Sequence, residues 1–108
     1  MKKLAIAILV LILGPAIGVA SEKGEAIFKS QRCASCHHAE SSSKVNPSLT
    51  DIARAYGGKA DQLIRYLKGE SDSIVKPEKS SMMKRYIKKT QALSDEDRKA
   101  LVDFILSH

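Results

Sequence analysis

Cys33-Ala34-Ser35-Cys36-His37 puts two thiols and an imidazole into five consecutive residues. On a helical turn, residues three and four apart share a face. Cys33 and Cys36 therefore present sulfur to the same side, and His37 offers a ring nitrogen from that side. Ala34 and Ser35 are small, so the backbone can lie close to a flat group. Cys-x-x-Cys-His is the attachment signature of a c-type haem, with two thioether links and the histidine on the iron. Three other chemistries use part of this pattern. A thioredoxin-like motif sets Cys-x-x-Cys at a helix start beside a βαβ sheet, and the sequence shows no strands for one. A structural zinc site needs four ligands at workable spacing. Here Cys33, Cys36, His37 and His38 are crowded together, and His108 is the one further histidine. A bare disulfide would close so short a loop that little entropy leaves the unfolded chain.

An iron held by one histidine has a second axial position to fill or leave open. The soft thioether of methionine is one choice, and with histidine it raises the reduction potential. Met82 and Met83 are the candidates beyond Met1. An isolated methionine is more often a core filler. Two adjacent ones, far downstream of the histidine in a segment with little helical patterning, are better placed for a ligand loop. His38 adjoins His37 and cannot reach the opposite face of the same group. His108 reads as a solvated end or a favourable charge at a helix C-terminus.

The elements that must position these residues read as helices. Alternating strand patterns are missing and β-branched residues are scattered. Ser21 to Gln31 forms a short amphipathic helix in which Gly24 and Phe28 share a face. Ser41-Ser42-Ser43-Lys44 is a polar loop ending at Asn46-Pro47. Ser48 or Thr50 caps a helix to Tyr56, which Gly57-Gly58 stops. Ala60 to Lys68 carries Leu63, Ile64 and Leu67 on one side and ends at Gly69. Ser71 to Gln91, with Pro77 inside it, reads as irregular. Ser94-Asp95-Glu96-Asp97 fits a capping box with acids in the first turn. Leu101, Phe104 and Ile105 then form the buried stripe of the last helix.

The chain is 108 residues long, 44% apolar and 28% charged, which allows one small domain. Lys2-Lys3, the apolar run Leu4–Leu13 and the small residues Gly18 to Ala20 have the layout of a secretory signal cut after Ala20. The run is too short and broken for a comfortable spanning helix, which needs about 20 apolar residues. Residues 21–108 would then form a single domain with a net charge of +4, since Lys2 and Lys3 leave with the signal. So small a domain needs a staple, and five aromatic residues supply little core. A covalently held apolar cofactor would serve.

Taken together, Gly24 and Phe28, the Cys33–His37 motif, Asn46-Pro47-Ser48-Leu49, the downstream methionine, Leu93-Ser94-Asp95-Glu96 and the Leu101/Phe104 helix resemble class I cytochrome c. The likeness covers residues 21–108 in order. It looks closest to the small mono-haem cytochromes of hydrogen-oxidising thermophilic bacteria, through Asp61-Gln62-Leu63-Ile64, Leu67-Lys68-Gly69-Glu70 and Asp103 to His108. The resemblance implies an all-α cytochrome c fold, four or five short helices around one covalent haem c on Cys33 and Cys36. It implies His37 and Met83 as axial ligands, Met83 standing ten residues before Leu93 as in the relatives, and the Pro47 carbonyl as acceptor for the far ring nitrogen of His37. It implies that Gly24 and Phe28 cross the last helix near Leu101 and Phe104. Two departures stand out: Lys84, not proline, follows Met83, and Asn46, not glycine, precedes Pro47.

The implied activity is electron transport in the periplasm, with no catalytic residue. A quinol–cytochrome c reductase and a terminal oxidase are the implied kind of partner for a monomer that meets the membrane only through them. Nucleic acid is a poor partner for an exported chain with this motif. The other function is a haem peroxidase or gas sensor with a labile distal methionine. Lys84, Arg85, Lys88 and Lys89 follow the ligand segment. Such a run is commonly a solvated face. In the family the haem edge emerges nearby, so these four are candidates for docking an acidic partner.

Overall fold

The computed structural model describes residues 15–41 and 46–108, with the side chains of 15–21 and 78–80 left aside. Residues 1–14 of the predicted signal, and most of the serine loop before Asn46, lie outside the described residues. Five helices follow: α1 Pro15–Ser30, α2 Leu49–Ala55, α3 Ala60–Leu67, α4 Lys84–Gln91 and α5 Asp95–Leu106. Short 3-10 turns lie at Cys33–Ser35 and Pro77–Met83. The described residues contain no strand, so the fold is all-α. None of their helices is long and apolar enough to cross a membrane.

The caps follow from local chemistry. Ser48 Oγ accepts from Asp51 N at 3.0 Å and opens α2, satisfying a donor that the helix itself leaves unpaired. Ser94 Oγ does the same for Asp97 N at 3.1 Å and opens α5. The Asp97 carboxylate pairs with Lys23 at 3.0 Å, so the acid of this capping sequence also ties α5 to α1. Gly69 ends α3 at φ +77°, the left-handed region that glycine enters without strain.

Two expectations from the sequence are corrected. The first helix starts at Pro15 rather than Ser21. More importantly, Ser71 to Gln91 is not irregular throughout, because Lys84–Gln91 is helix α4. Lysine, arginine and glutamine are good helix formers. Tyr86, Ile87 and Thr90 give it a narrow less-exposed stripe that turns toward α3. Pro77 stands in the first turn of the 3-10 segment, where its missing N–H does no harm.

The tightest packing is between α1 and α5. A Cβ on Gly24 would overlap Ala100 O and lie 2.6 Å from Phe104 Cβ. Only a residue without a side chain lets the two backbones come this close. One turn on, Phe28 meets Phe104 with ring centroids 5.4 Å apart. Leu49, Tyr56, Leu63, Leu67, Leu101, Val102 and Ile105 extend this core through α2, α3 and α5.

Gly24→Ala tests the crossing. Alanine gains about 1 kcal/mol over glycine in a helix interior. Forcing a methyl group against a fixed backbone costs about 1–3 kcal/mol, and Gly24→Val adds more bulk at the same point. The expected net loss is up to about 2 kcal/mol for alanine and larger for valine, read from denaturant midpoints. A stabilised alanine variant would show that the helices can part without loss.

Candidate functional site

Between the helices lies an apolar hollow. Phe28 of α1, Ile52 of α2, Leu63 and Leu67 of α3, and Leu101 and Ile105 of α5 line it. Cys33, Cys36, His37, Pro47, Met82 and Met83 also stand on its wall. The fold thus gathers onto one cavity residues that run from Phe28 to Ile105.

The motif's shape begins at Arg32, whose backbone turns left-handed at φ 63° and separates α1 from the 3-10 turn Cys33–Ser35. Ser35 Oγ donates to Arg32 O at 2.7 Å and closes that turn. Cys36 N and His37 N both donate to Cys33 O, at 3.2 and 2.9 Å, so three motif residues are wound about one carbonyl. The two cysteine side chains are half-buried and not joined to each other. Burial pushes the Cys33 thiol up. A backbone N–H and the positive charge of Lys89 offset part of that rise.

The tail of the motif supplies what α2 lacks. Leu49 N donates to His38 O at 2.8 Å, and Thr50 N to Ala39 O at 3.1 Å. Thr50 Oγ1 adds a bond to Ala39 O at 2.9 Å. The first two amides of α2 and the third, capped by Ser48, are thereby satisfied. The same arrangement fixes Pro47 just outside the helix, and its carbonyl lies 2.8 Å from His37 Nδ1. A carbonyl only accepts, so Nδ1 donates and carries the proton. In the neutral ring this leaves the lone pair on Nε2. His38 is exposed and engages through its backbone.

The methionines differ in exposure. Met82 is 64% exposed, whereas Met83 is half-buried. Both lie at the end of the 3-10 turn, which runs straight into α4. The four basic residues do not form a single cluster. Arg85 lines the hollow, and Lys89 sits over the Tyr86 ring at 5.3 Å, with its charge felt at Cys33. Lys84 and Lys88 line a second depression with Tyr66, Gly69 and Ser71. Helix geometry explains the division, since 85/89 and 84/88 are separate i, i+4 pairs.

Three wall residues were not visible as such in the sequence. Tyr56 is 1% exposed, and its hydroxyl accepts from Ile74 N at 3.3 Å, which tethers the segment after α3. Tyr66 also faces the hollow, and burial, reinforced by Tyr56, pushes its phenol above the ordinary value, so it stays neutral at physiological pH. Thr90 Oγ1 donates to Leu67 O at 2.6 Å and joins α4 to α3. Their spacing with Leu63 and Ile87 was the available signal, and it marked burial without marking the cavity.

The cytochrome c family model matches residues 21–108. Over 96 residues the chain is 33% identical to cytochrome c-553 of Nitratidesulfovibrio vulgaris (strain DSM 19637 / Miyazaki F), covering 88% of this chain and 84% of that one. Over 114 residues it is 30% identical to cytochrome c-551 of Stutzerimonas stutzeri, covering 99% of this chain and 98% of that one. With an all-helical fold around such a cavity, these matches define the class: a haem protein that carries electrons. The chain belongs to the cytochrome c family and has one covalently attached haem c.

The donor set fits that group. Two thiols, an imidazole nitrogen with a free lone pair and two thioether sulfurs open on a hollow lined mainly by apolar side chains. Ser48→Ala tests how the wall is held. Losing the cap should cost about 1 kcal/mol, seen as a lower denaturation midpoint of the haem-loaded protein. An unchanged midpoint would mean that the backbone bonds from His38 and Ala39 hold the start of α2 unaided.

Proposed function

We propose that this protein is a periplasmic electron carrier whose haem is held by Cys33 and Cys36 and ligated by His37 and Met83. The observation that carries the reading is the Pro47 carbonyl 2.8 Å from His37 Nδ1, which aims the opposite nitrogen's lone pair from the motif face of the cavity. When bound, the haem supplies a reversible one-electron couple. The chain's own residues do the rest. The cysteine sulfurs anchor, and the small residues Ala34 and Ser35 leave room beside them. Phe28, Leu63, Leu101 and their neighbours exclude water, so that little solvent must reorganise when charge changes. Met83, less exposed than Met82, contributes a sulfur that favours the reduced state.

Export rests on the basic, apolar and small-residue pattern of residues 1–20. A quinol–cytochrome c reductase as donor and a terminal oxidase as acceptor suit such a carrier. The docking surface is the rim bearing Arg85 and Lys89, with Lys84 and Lys88 on the adjoining stripe of α4. Positive charge there draws an acidic partner surface toward the cavity before contact.

Met83→Ala should abolish the weak far-red band of the ferric protein and let carbon monoxide bind the ferrous form. The potential should fall by on the order of 100 mV, a modest part of the roughly 0.8 V that axial ligands command. Met82→Ala should change each of these little. Swapped results would assign the ligand to Met82. Carbon monoxide binding by the unaltered reduced protein would instead favour a gas-binding or peroxidase role.

Charge reversal tests docking. Arg85→Glu with Lys89→Glu should slow association with an acidic redox partner by about tenfold at low salt. The difference should shrink as the screening length falls below about 8 Å. Reversal of Lys84 and Lys88 should have the smaller effect. Stopped-flow rates against ionic strength decide it, and equal rates at low salt would reduce the run to a solvated face.

A further inference from the structure

Arg98 stands one turn into α5 with its side chain only 5% exposed. Burying a guanidinium costs several kcal/mol unless its donors are used. Here they are. Nε donates to Thr90 O at 3.1 Å, and Nη2 to Gln91 O at 3.0 Å and Leu93 O at 2.7 Å. Nη1 donates to Asp95 Oδ1 at 2.8 Å. Thr90 and Gln91 are the last two residues of α4. Carbonyls at this end of a helix carry the negative end of its dipole, and Thr90 O takes besides the arginine a long bond from Leu93 N at 3.3 Å in the turn that follows. The arginine thus caps α4 from another helix.

The same two residues reach the other way with their side chains. Thr90 Oγ1 donates to Leu67 O at 2.6 Å and Gln91 Nε2 to Lys68 O at 3.0 Å, both at the end of α3. The carbonyl end of α4 is therefore clamped between α3 and α5. Its other end is Met83, which stands at the cap position. With eight residues, α4 spans about 12 Å at 1.5 Å per residue. It is a short strut with the clamp at one end and the methionine at the other. Arg98 is not among the residues lining the cavity.

We infer that Arg98 is a positioning residue for the methionine ligand: by holding the carbonyl end of α4, it fixes where the opposite end presents Met83 to the cavity. The inference rests on the reading of Met83 as the axial sulfur. It depends on the planar fork of arginine. A lysine ammonium has its donors on a single nitrogen and cannot meet three separated carbonyls in the same way.

The test uses the haem-loaded protein and follows two properties well below its unfolding midpoint: the ferric far-red band and the affinity for added imidazole, which enters when the sulfur leaves. Arg98→Met keeps bulk and removes every donor. It should bind imidazole about tenfold more tightly, because opening of α4 becomes easier. Its far-red band should fade on warming while the far-ultraviolet helix signal is intact. Arg98→Lys should fall between it and the wild type, and it carries the comparison if Arg98→Met gives no holoprotein. Val102→Ala, at a fully buried position of α5, supplies a loss of global stability by another route. Its imidazole affinity should stay within about twofold of wild type. Wild-type affinity in the Arg98 variants, or an equal rise in Val102→Ala, would overturn the inference and leave the ligand assignment standing. A wild-type protein without the far-red band would overturn both.

Discussion

At Gly24 the backbones of α1 and α5 approach as closely as a chain without a side chain permits. The rest of the molecule depends on this contact. It sets Phe28 against Phe104 and turns Leu101 and Ile105 toward the hollow. It also places the Cys33–Ser35 turn, which leaves α1 through the left-handed residue Arg32, at the cavity wall. A wider crossing would move the motif away from the apolar residues that must surround what it holds. Haem c then completes a core that the helices line but do not close, which is how a domain of few aromatic residues is stapled.

The wall is held by groups that every helix leaves unsatisfied. The amides opening α2 take the carbonyls of His38 and Ala39, so the segment following the motif is also a cap. The carbonyls ending α4 take the guanidinium of Arg98. Both devices convert a local debt of hydrogen bonds into a tertiary fixing point. In the first, the result is a proline carbonyl aimed at His37; in the second, it is a helix whose far end is Met83.

Local chemistry was the legible part of this chain. The Cys33–His37 spacing, the serines that cap α2 and α5, and the apolar stripes of α3 and α5 each depend on residues within one or two turns. The family resemblance rested on those pieces in order. Helix α4 was missed because a run of lysine and arginine hides a stripe of just Tyr86, Ile87 and Thr90, and because Pro77 looked like a breaker. Arg98 offered no sign of burial, since Asp95 three residues before it suggests an ordinary surface pair. Its other partners are backbone carbonyls brought to it by the turn between α4 and α5. That Arg85 lines the hollow, Lys84 and Lys88 a second depression, and Lys89 stands over the Tyr86 ring became apparent only when the helix carrying them was placed.

The two charged ties made by the first turns of α5 differ in kind. Arg98 acts through three backbone carbonyls, and its charged partner Asp95, 94% exposed, adds little to that hold. Lys23, between Glu96 and Asp97, has its pKa raised by hydrogen bonds to Asp97 and Glu96. A raised value in the folded state means that the contribution is complete below the ordinary lysine value and disappears as pH climbs through the shifted one. Alkali therefore loosens α5 on the side facing α1, where Lys23 holds it.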